Sequence, residues 1–324
     1  DSYDQSISTA VAVGGLNRAI VEYWNTHDVD FLVMDTQGRR LPYVLTYLTG
    51  DVTERRPRTP TIPAVLVNEQ RELPAEKHSP DSRRLLVPFD KSARSTNALE
   101  FACSLFPDAA ITLVHVVDPR YTAPDVDTSR PERVFTDSLD VADHHGVTVE
   151  TEILTGHPAR EIVAYSERSD ADEIVLGSHG REAASRVLFG SVAEHVLRRA
   201  PVPVTIVRPQ QRSGHGHHLV PIDGSDQSER ALEYALAVFP GVQTTVLHAI
   251  DPMETHYGEG QLVHSEAEYE RIEREAERLL TDAVELAGRY DGNVTTTIAI
   301  EQGPNRPANA ILDYVAEIRD RLRV

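Results

Sequence analysis

The feature that most constrains this chain is that it repeats itself. Residues 85–119, LLVPFDKSARSTNALEFACSLFPDAAITLVHVVDP, align without a gap on residues 218–252, HLVPIDGSDQSERALEYALAVFPGVQTTVLHAIDP. Asp90 falls on Asp223 and His115 on His248. The shared pattern is a short β-rich apolar run closing in Pro-x-Asp, a stretch of helical periodicity, and a second apolar run closing in His. That pattern reads as a βαβ unit. A second self-match joins the beginning to the middle: residues 19–40, AIVEYWNTHDVDFLVMDTQGRR, resemble residues 161–182, EIVAYSERSDADEIVLGSHGRE. Each runs on to a proline-flanked strand, TPTIPAVLVN at 59–68 and APVPVTIVRP at 200–209.

The middle segment, 83–209, therefore carries one full unit whose halves are each echoed once. Periodicity predicts strands at about 84–89, 111–117, 147–154, 173–177 and 203–208, and helices at about 94–106, 131–144, 158–169 and 191–199. Regular alternation of this kind implies right-handed crossovers, a parallel sheet covered on both faces, and a ligand crevice at the carboxyl ends of the strands. Residues 1–68 echo the second half and residues 217–324 the first. Linkers are expected at 69–82 and 209–217, which are polar, carry Pro or Gly and lack periodicity. Two arrangements of the outer segments stay open. Either 217–324 supplies the first three strands and 1–68 the last two strands of a second domain, or the chain is a piece of a longer tandem array.

With 324 residues, 40% of them apolar, the chain can bury more than one core. Acidic residues number 51 against 32 basic ones, a net charge of −19, and Lys77 and Lys91 are the only lysines. No basic stripe interrupts this excess, which argues against tracking a nucleic-acid backbone or an anionic membrane surface. No window approaches the roughly 20 apolar residues of a membrane span, and the start DSYDQSIS has no signal-peptide layout, so a soluble, cytoplasmic protein without membrane insertion is expected. Cys103 is the only cysteine and sits in the helical apolar pattern ALEFACSLF, the setting of a buried structural thiol.

Chemistry is concentrated in GSHGREAASRVLFGS, residues 177–191, which leaves the fourth strand of the full unit. Its spacing is Gly, two residues, Gly, nine residues, Gly, Ser. Ser191 and Glu194 have capping-box spacing, so a helix is expected to start there, with its free N–H groups and positive dipole end facing the loop. Arg181 and Arg186 lie in the same loop and could pair with a phosphate. On physical grounds a phosphate cradle and a plain turn are equally open at this point. No Gly-Lys-Ser/Thr follows, so this is not a Walker A loop. No nucleophile, base and orienter assemble from the sequence; His115 reads as a polar strand end, His179 falls within the loop, and HGHH at 215–218 reads as a solvated tract rather than a metal site.

The combination of VPFD opening the unit, LVHVVD closing its second strand, and LGSHG followed nine residues later by GSV resembles the ATP-binding branch of the universal stress protein family. The resemblance spans 83–209. It implies a five-stranded parallel sheet flanked by helices, Rossmann-like and of the adenine nucleotide alpha hydrolase-like type, in tandem. Carried over residue by residue, it implies that Pro88 and Asp90 meet the adenine and ribose, that Val116 lines the base pocket, and that Leu176, Gly177, Gly180, Gly190, Ser191 and Val192 hold ribose and phosphates. ATP with Mg²⁺ is the implied ligand, and any hydrolysis is slow and secondary. Pairing through fifth strands, here IPAVLV and VPVTIVR, or as a homodimer, is the implied association. In residues 1–68 Asp35 stands in the place of Gly177 and Asp51 in that of Ser191, where carboxylates would repel phosphate. One working site per chain, with a regulatory or stress-response role, is therefore expected. The alternative is an ATP-independent scaffold or sensor module serving a transporter or other partner.

The acidic excess generates a first prediction, that of a protein adapted to a salty cytoplasm. Melting temperature is expected to rise with KCl as mutual repulsion is screened; a protein most stable without salt would contradict this.

Overall fold

A computed structural model describes residues 5–13, 16–35, 63–67, 83–120, 132–177, 191–207, 216–250, 266–290 and 292–296. In chain order the elements are β1 (Gln5–Val13), α1 (Leu16–Thr26), β2 (Phe31–Asp35), β3 (Ala64–Val67), β4 (Arg84–Pro88), α2 (Ala93–Leu105), β5 (Ala110–Val117) and α3 (Glu132–His144). They continue with β6 (Val149–Thr155), α4 (Pro158–Arg168), β7 (Glu173–Gly177), α5 (Ser191–Arg199), β8 (Val204–Val207), β9 (His217–Ile222), α6 (Asp226–Val238), β10 (Gln243–Ile250), α7 (Glu266–Gly288) and β11 (Gly292–Thr296). Two compact units result, Asp30–His215 and a second made of Asp1–Val29 with Gly216–Val324.

The first unit contains the alternating segment read from the sequence, and its strands run in the order β2-β3-β8-β7-β4-β5-β6. All neighbours are parallel except β3 and β8, which pair antiparallel with Val65 opposite Thr205. These are the two proline-flanked strands of the self-match. The central strands β4 and β7 are near-continuous apolar runs, as buried parallel strands are, whereas the end strand β6 carries Glu150 and Glu152 and is largely exposed. Leu85, Leu86 and Val87 of β4, Ile111, Leu113 and Val114 of β5, and Ile174, Val175 and Leu176 of β7 are all buried. Phe135 of α3 and Ala98, Leu99 and Ala102 of α2 close the core over one face. Cys103 belongs to the same core, where burial pushes its thiol up to about 11, far from nucleophile range.

The helices start where local chemistry stops the strands. Ser92 caps α2 by accepting from the Ser95 N–H at 3.3 Å, and α4 opens on Pro158, whose missing N–H is no loss in a first turn. At the amino ends of the strands lies a buried ionic network. The Arg83 guanidinium donates to Glu173 Oε2 at 2.5 Å, Thr205 Oγ1 donates to Glu173 Oε1, and the guanidinium stacks on Phe106 at 4.3 Å. Glu173 is wholly buried and Arg83 nearly so.

In the second unit four parallel strands run in the order β11-β1-β10-β9. β1 is an addition to the sequence reading, which assigns no strand to residues 5–13. Its sequence QSISTAVAV carries the β-branched strand formers Ile7, Thr9, Val11 and Val13, and Ile7, Ala10 and Ala12 are buried. α1 follows and buries Ala19, Ile20, Tyr23 and Trp24. Ser8 Oγ and Thr245 Oγ1 share a 2.6 Å hydrogen bond, His217 Nε2 meets the same Thr245 oxygen at 2.7 Å, and the Tyr23 hydroxyl donates to it at 3.5 Å. β9 begins at His217, so two of the four residues of HGHH belong to a strand rather than a linker. His218 is buried edge-on to Phe239 at 4.7 Å.

The Arg83–Glu173 pair generates a prediction. Glu173→Ala strands a buried guanidinium and is expected to cost about 3–5 kcal/mol in equilibrium denaturation, whereas the double variant Arg83→Met, Glu173→Leu is expected to recover most of that loss.

Candidate nucleotide site

The strand order β7-β4-β5 gathers the carboxyl ends that the sequence singled out. Pro88 ends β4 opposite Val114, and the Phe89 N–H still bonds to the Val114 carbonyl at 2.8 Å. Asp90 follows one residue later, between Val116 near the end of β5 and the pair Leu176–Gly177 closing β7. Pro88, Val116 and Val192 are half-buried, Leu176 is buried, and Ser191 is exposed as the first residue of α5. Gly180 and Gly190 lie outside the described residues, as do His179, Arg181, Arg186 and Asp51.

Asp90 is held by a turn at the start of α2. Its Oδ1 accepts from the Ser92 N–H at 3.0 Å, from Ser92 Oγ at 2.5 Å and from Ser95 Oγ at 2.9 Å. Among the described residues no bond reaches Oδ2. Partial burial raises the cost of the charge, but the hydrogen bonds from Ser92 and Ser95 and the nearby Arg94 outweigh it and hold the carboxyl below its usual range. Asp90 is thus an ionised acceptor fixed in place, able to take hydrogen bonds from sugar hydroxyls or an exocyclic amine. The second unit repeats the turn: Asp223 Oδ1 accepts from the Ser225 N–H at 3.1 Å and Ser225 Oγ at 2.6 Å. The sequence contains this signal as DKSARS and DGSDQS, an Asp-x-Ser-x-x-Ser repeat. Of the two readings of Asp90, ligand residue and helix-start acid, the hydrogen bonds from Ser92 and Ser95 show the second, and Oδ1 alone carries it.

His115 is a latch. Its Nδ1 donates to the Phe89 carbonyl at 2.8 Å and so ties the end of β5 to the exit of β4; His248 does the same to Ile222 at 3.0 Å. Gly177 has a packing reason of its own. A Cβ there would come within 2.1 Å of the Arg94 carbonyl oxygen in the first turn of α2, a contact no side-chain movement relieves. α5 starts at Ser191, but Glu194 does not reach back to form a capping box. It accepts instead from Arg198 at 3.1 and 3.2 Å, an i,i+4 pair along the helix surface.

His195 of α5 lies beside His157, which caps α4, with ring centroids 6.2 Å apart. Burial, together with the positive charge of Arg199, His157 and Arg160, pushes His195 below the usual histidine value. In the second unit Leu279 of α7 packs against Gly224, next to Asp223, where a Cβ would come within 2.4 Å of its Cδ2.

The sequence model of the universal stress protein family matches residues 82–208 and 216–319. The chain belongs to the universal stress protein family, with two such domains in tandem and the α/β fold of a parallel-dominated sheet flanked by helices. It is 31% identical over 143 residues to a universal stress protein of Methanocaldococcus jannaschii, covering 40% of this chain and 84% of that one. It is 32% identical over 188 residues to a universal stress protein of Mycolicibacterium smegmatis, covering 51% of this chain and 63% of that one. Among solved structures it is similar to a universal stress protein of Archaeoglobus fulgidus, with a TM-score of 0.48, 24% identity and coverage of 75% and 85%. It is also similar to a family member of Arabidopsis thaliana with AMP bound, with a TM-score of 0.31, 23% identity and coverage of 40% and 92%.

Two predictions arise from the site. Gly177→Ala is expected to lower stability by about 1–3 kcal/mol in the absence of any ligand, read as a fall in melting temperature, because the new methyl group meets backbone. For His195, the folded chain binds protons less readily than the unfolded one. Stability is therefore expected to fall as pH drops below the ordinary value of 6.5. Urea titrations across pH 5 to 8 check this, and His195→Gln should flatten the dependence.

Proposed function

We propose that the complete domain, residues 83–209, binds an adenine nucleotide at the carboxyl ends of β4, β5 and β7, and that the chain is a nucleotide-responsive stress or regulatory protein of the cytoplasm. The observation that carries this reading is Asp90: an ionised carboxylate, immobilised through one oxygen, at the central strand end of an open α/β sheet. Pro88 and Val116 flank it with apolar surface for a base. Across β7, the amino terminus of α5 at Ser191 offers free N–H groups and a positive dipole end for phosphates. Gly180 and Gly190, at either end of the intervening loop, complete the carried-over set.

ATP is the ligand this reading favours, and Mg²⁺ enters with it. Among the described residues no group of three or more His, Cys, Asp or Glu side chains could hold a metal ion, so the phosphates themselves would be the main ligands. Asp35 and Asp51 at the phosphate positions of the N-terminal echo, and the Leu279 side chain against Gly224 in the C-terminal one, support a single working site. No helix among the described residues is long and apolar enough to cross a membrane.

Isothermal titration with MgATP tests the reading. Binding is expected for the native chain, with affinity lowered at least tenfold, about 1.4 kcal/mol, in Asp90→Asn and lost in Gly190→Asp, which places a carboxylate against the phosphates. No heat at near-millimolar MgATP, with Gly190→Asp indistinguishable from the native chain, would overturn it in favour of an ATP-independent scaffold.

A further inference from the structure

The second unit contains two strands for one position. In the complete domain the chain runs from β5 through α3 to β6, and β6 lies directly beside β5. The corresponding run is β10, α7, β11, so connectivity assigns the place beside β10 to β11. β1 occupies it instead, and β11 pairs with the far side of β1.

The register identifies what β1 is. In the complete domain Ile111 of β5 lies opposite Val149 of β6, and in the second unit Thr244 of β10 lies opposite Ile7 of β1. Thr244 is the counterpart of Ile111 in the first self-match. Ile7 is the counterpart of Val149 when the second self-match is extended toward the N-terminus without a gap. The agreement holds through all seven paired positions, from Ile7–Thr244 to Val13–Ile250 against Ile111–Val149 to Val117–Thr155. β1 is therefore a third strand by register, and β11 a third strand by connectivity. Both run in the same direction, and β11 stands one strand spacing away, about 4.8 Å.

Their unequal length explains the occupancy. β1 has nine residues and pairs seven with β10, whereas β11 has five, Gly-Asn-Val-Thr-Thr. β1 also brings α1, with Tyr23 and Trp24 buried. The fit is not perfect: the Thr9 hydroxyl is fully buried in this position with no hydrogen-bond partner among the described residues.

We infer that β1 and β11 are interchangeable occupants of the position beside β10, so that release of β1 draws β11 across by one strand and the sheet stays closed. The second unit is then a strand-exchange device that can free residues 5–13 without exposing β10. It rests on strand pairing alone and is independent of nucleotide binding.

Hydrogen exchange of the full chain, read by mass spectrometry, tests this in four variants. Ala10→Pro, and separately replacement of residues 5–13 by a Gly-Ser stretch, remove β1 by different means; Val294→Pro disables β11; the fourth combines Ala10→Pro with Val294→Pro. In the first two, amides of residues 244–250 and of 292–296 are both expected to stay within about threefold of the native rate, because β11 exchanges one parallel neighbour for another. Val294→Pro alone should leave 244–250 unchanged, and the combined variant should speed their exchange by about a hundredfold or more. The inference is overturned if both β1 variants free the amides of 244–250 and of 292–296, or if the combined variant leaves 244–250 protected.

Discussion

A parallel strand cannot be satisfied by the residues that follow it, because a crossover must intervene before the chain can return alongside. Every place in these sheets is consequently decided by which edge stands open when a segment arrives. That constraint explains why a chain with one complete domain and two partial copies still gives ordered units. The fifth strand β8 finds β3, antiparallel, with Leu66 opposite Val204. The open side of β10 finds β1 from the other end of the chain. An apolar edge left unpaired would be a site for aggregation, and in both cases a repeat copy covers it.

Within the complete domain the two ends of the sheet are built to opposite purposes. At the amino ends, Glu173 is wholly buried and held by Arg83 and Thr205, with the guanidinium stacked on Phe106. Its charge is neutralised internally and faces nothing outside. At the carboxyl ends, Asp90 is bonded through one oxygen and exposed. A carboxylate serves as a buried rivet at one end and stands exposed with one oxygen bonded at the other, and the difference lies in partners rather than in identity. Family membership fits this polarity, since in open α/β folds ligands lie beyond the carboxyl ends of the strands.

Much of this was legible in the sequence wherever two copies could be compared. The strand and helix pattern of residues 85–119 and its Pro-x-Asp and His strand ends follow from periodicity that appears twice, and the start of α5 at Ser191 from the Ser191–Glu194 spacing. What escaped was of two kinds. β1 escaped although Ile7, Thr9, Val11 and Val13 favour a strand, because its partner β10 comes from the other end of the chain and both self-matches start beyond it. The Arg83–Glu173–Thr205 network escaped because its members are 90 and 32 residues apart and no local pattern links them. The capping box at Ser191 and Glu194 was legible but mistaken, because Arg198 stands four residues on and takes the carboxylate.

The contact between Gly177 and the Arg94 carbonyl gives the site a mechanical character. Gly177 opens the glycine segment, and Arg94 lies in the turn of helix that Ser92 and Ser95 fasten to Asp90. Gly177 and the Asp90 carboxylate thus both rest against one short element, the first turn of α2. A shift of Gly177 or of Asp90 would therefore act on the same helix, whose inner face of Ala98, Leu99, Ala102 and Cys103 is part of the hydrophobic core.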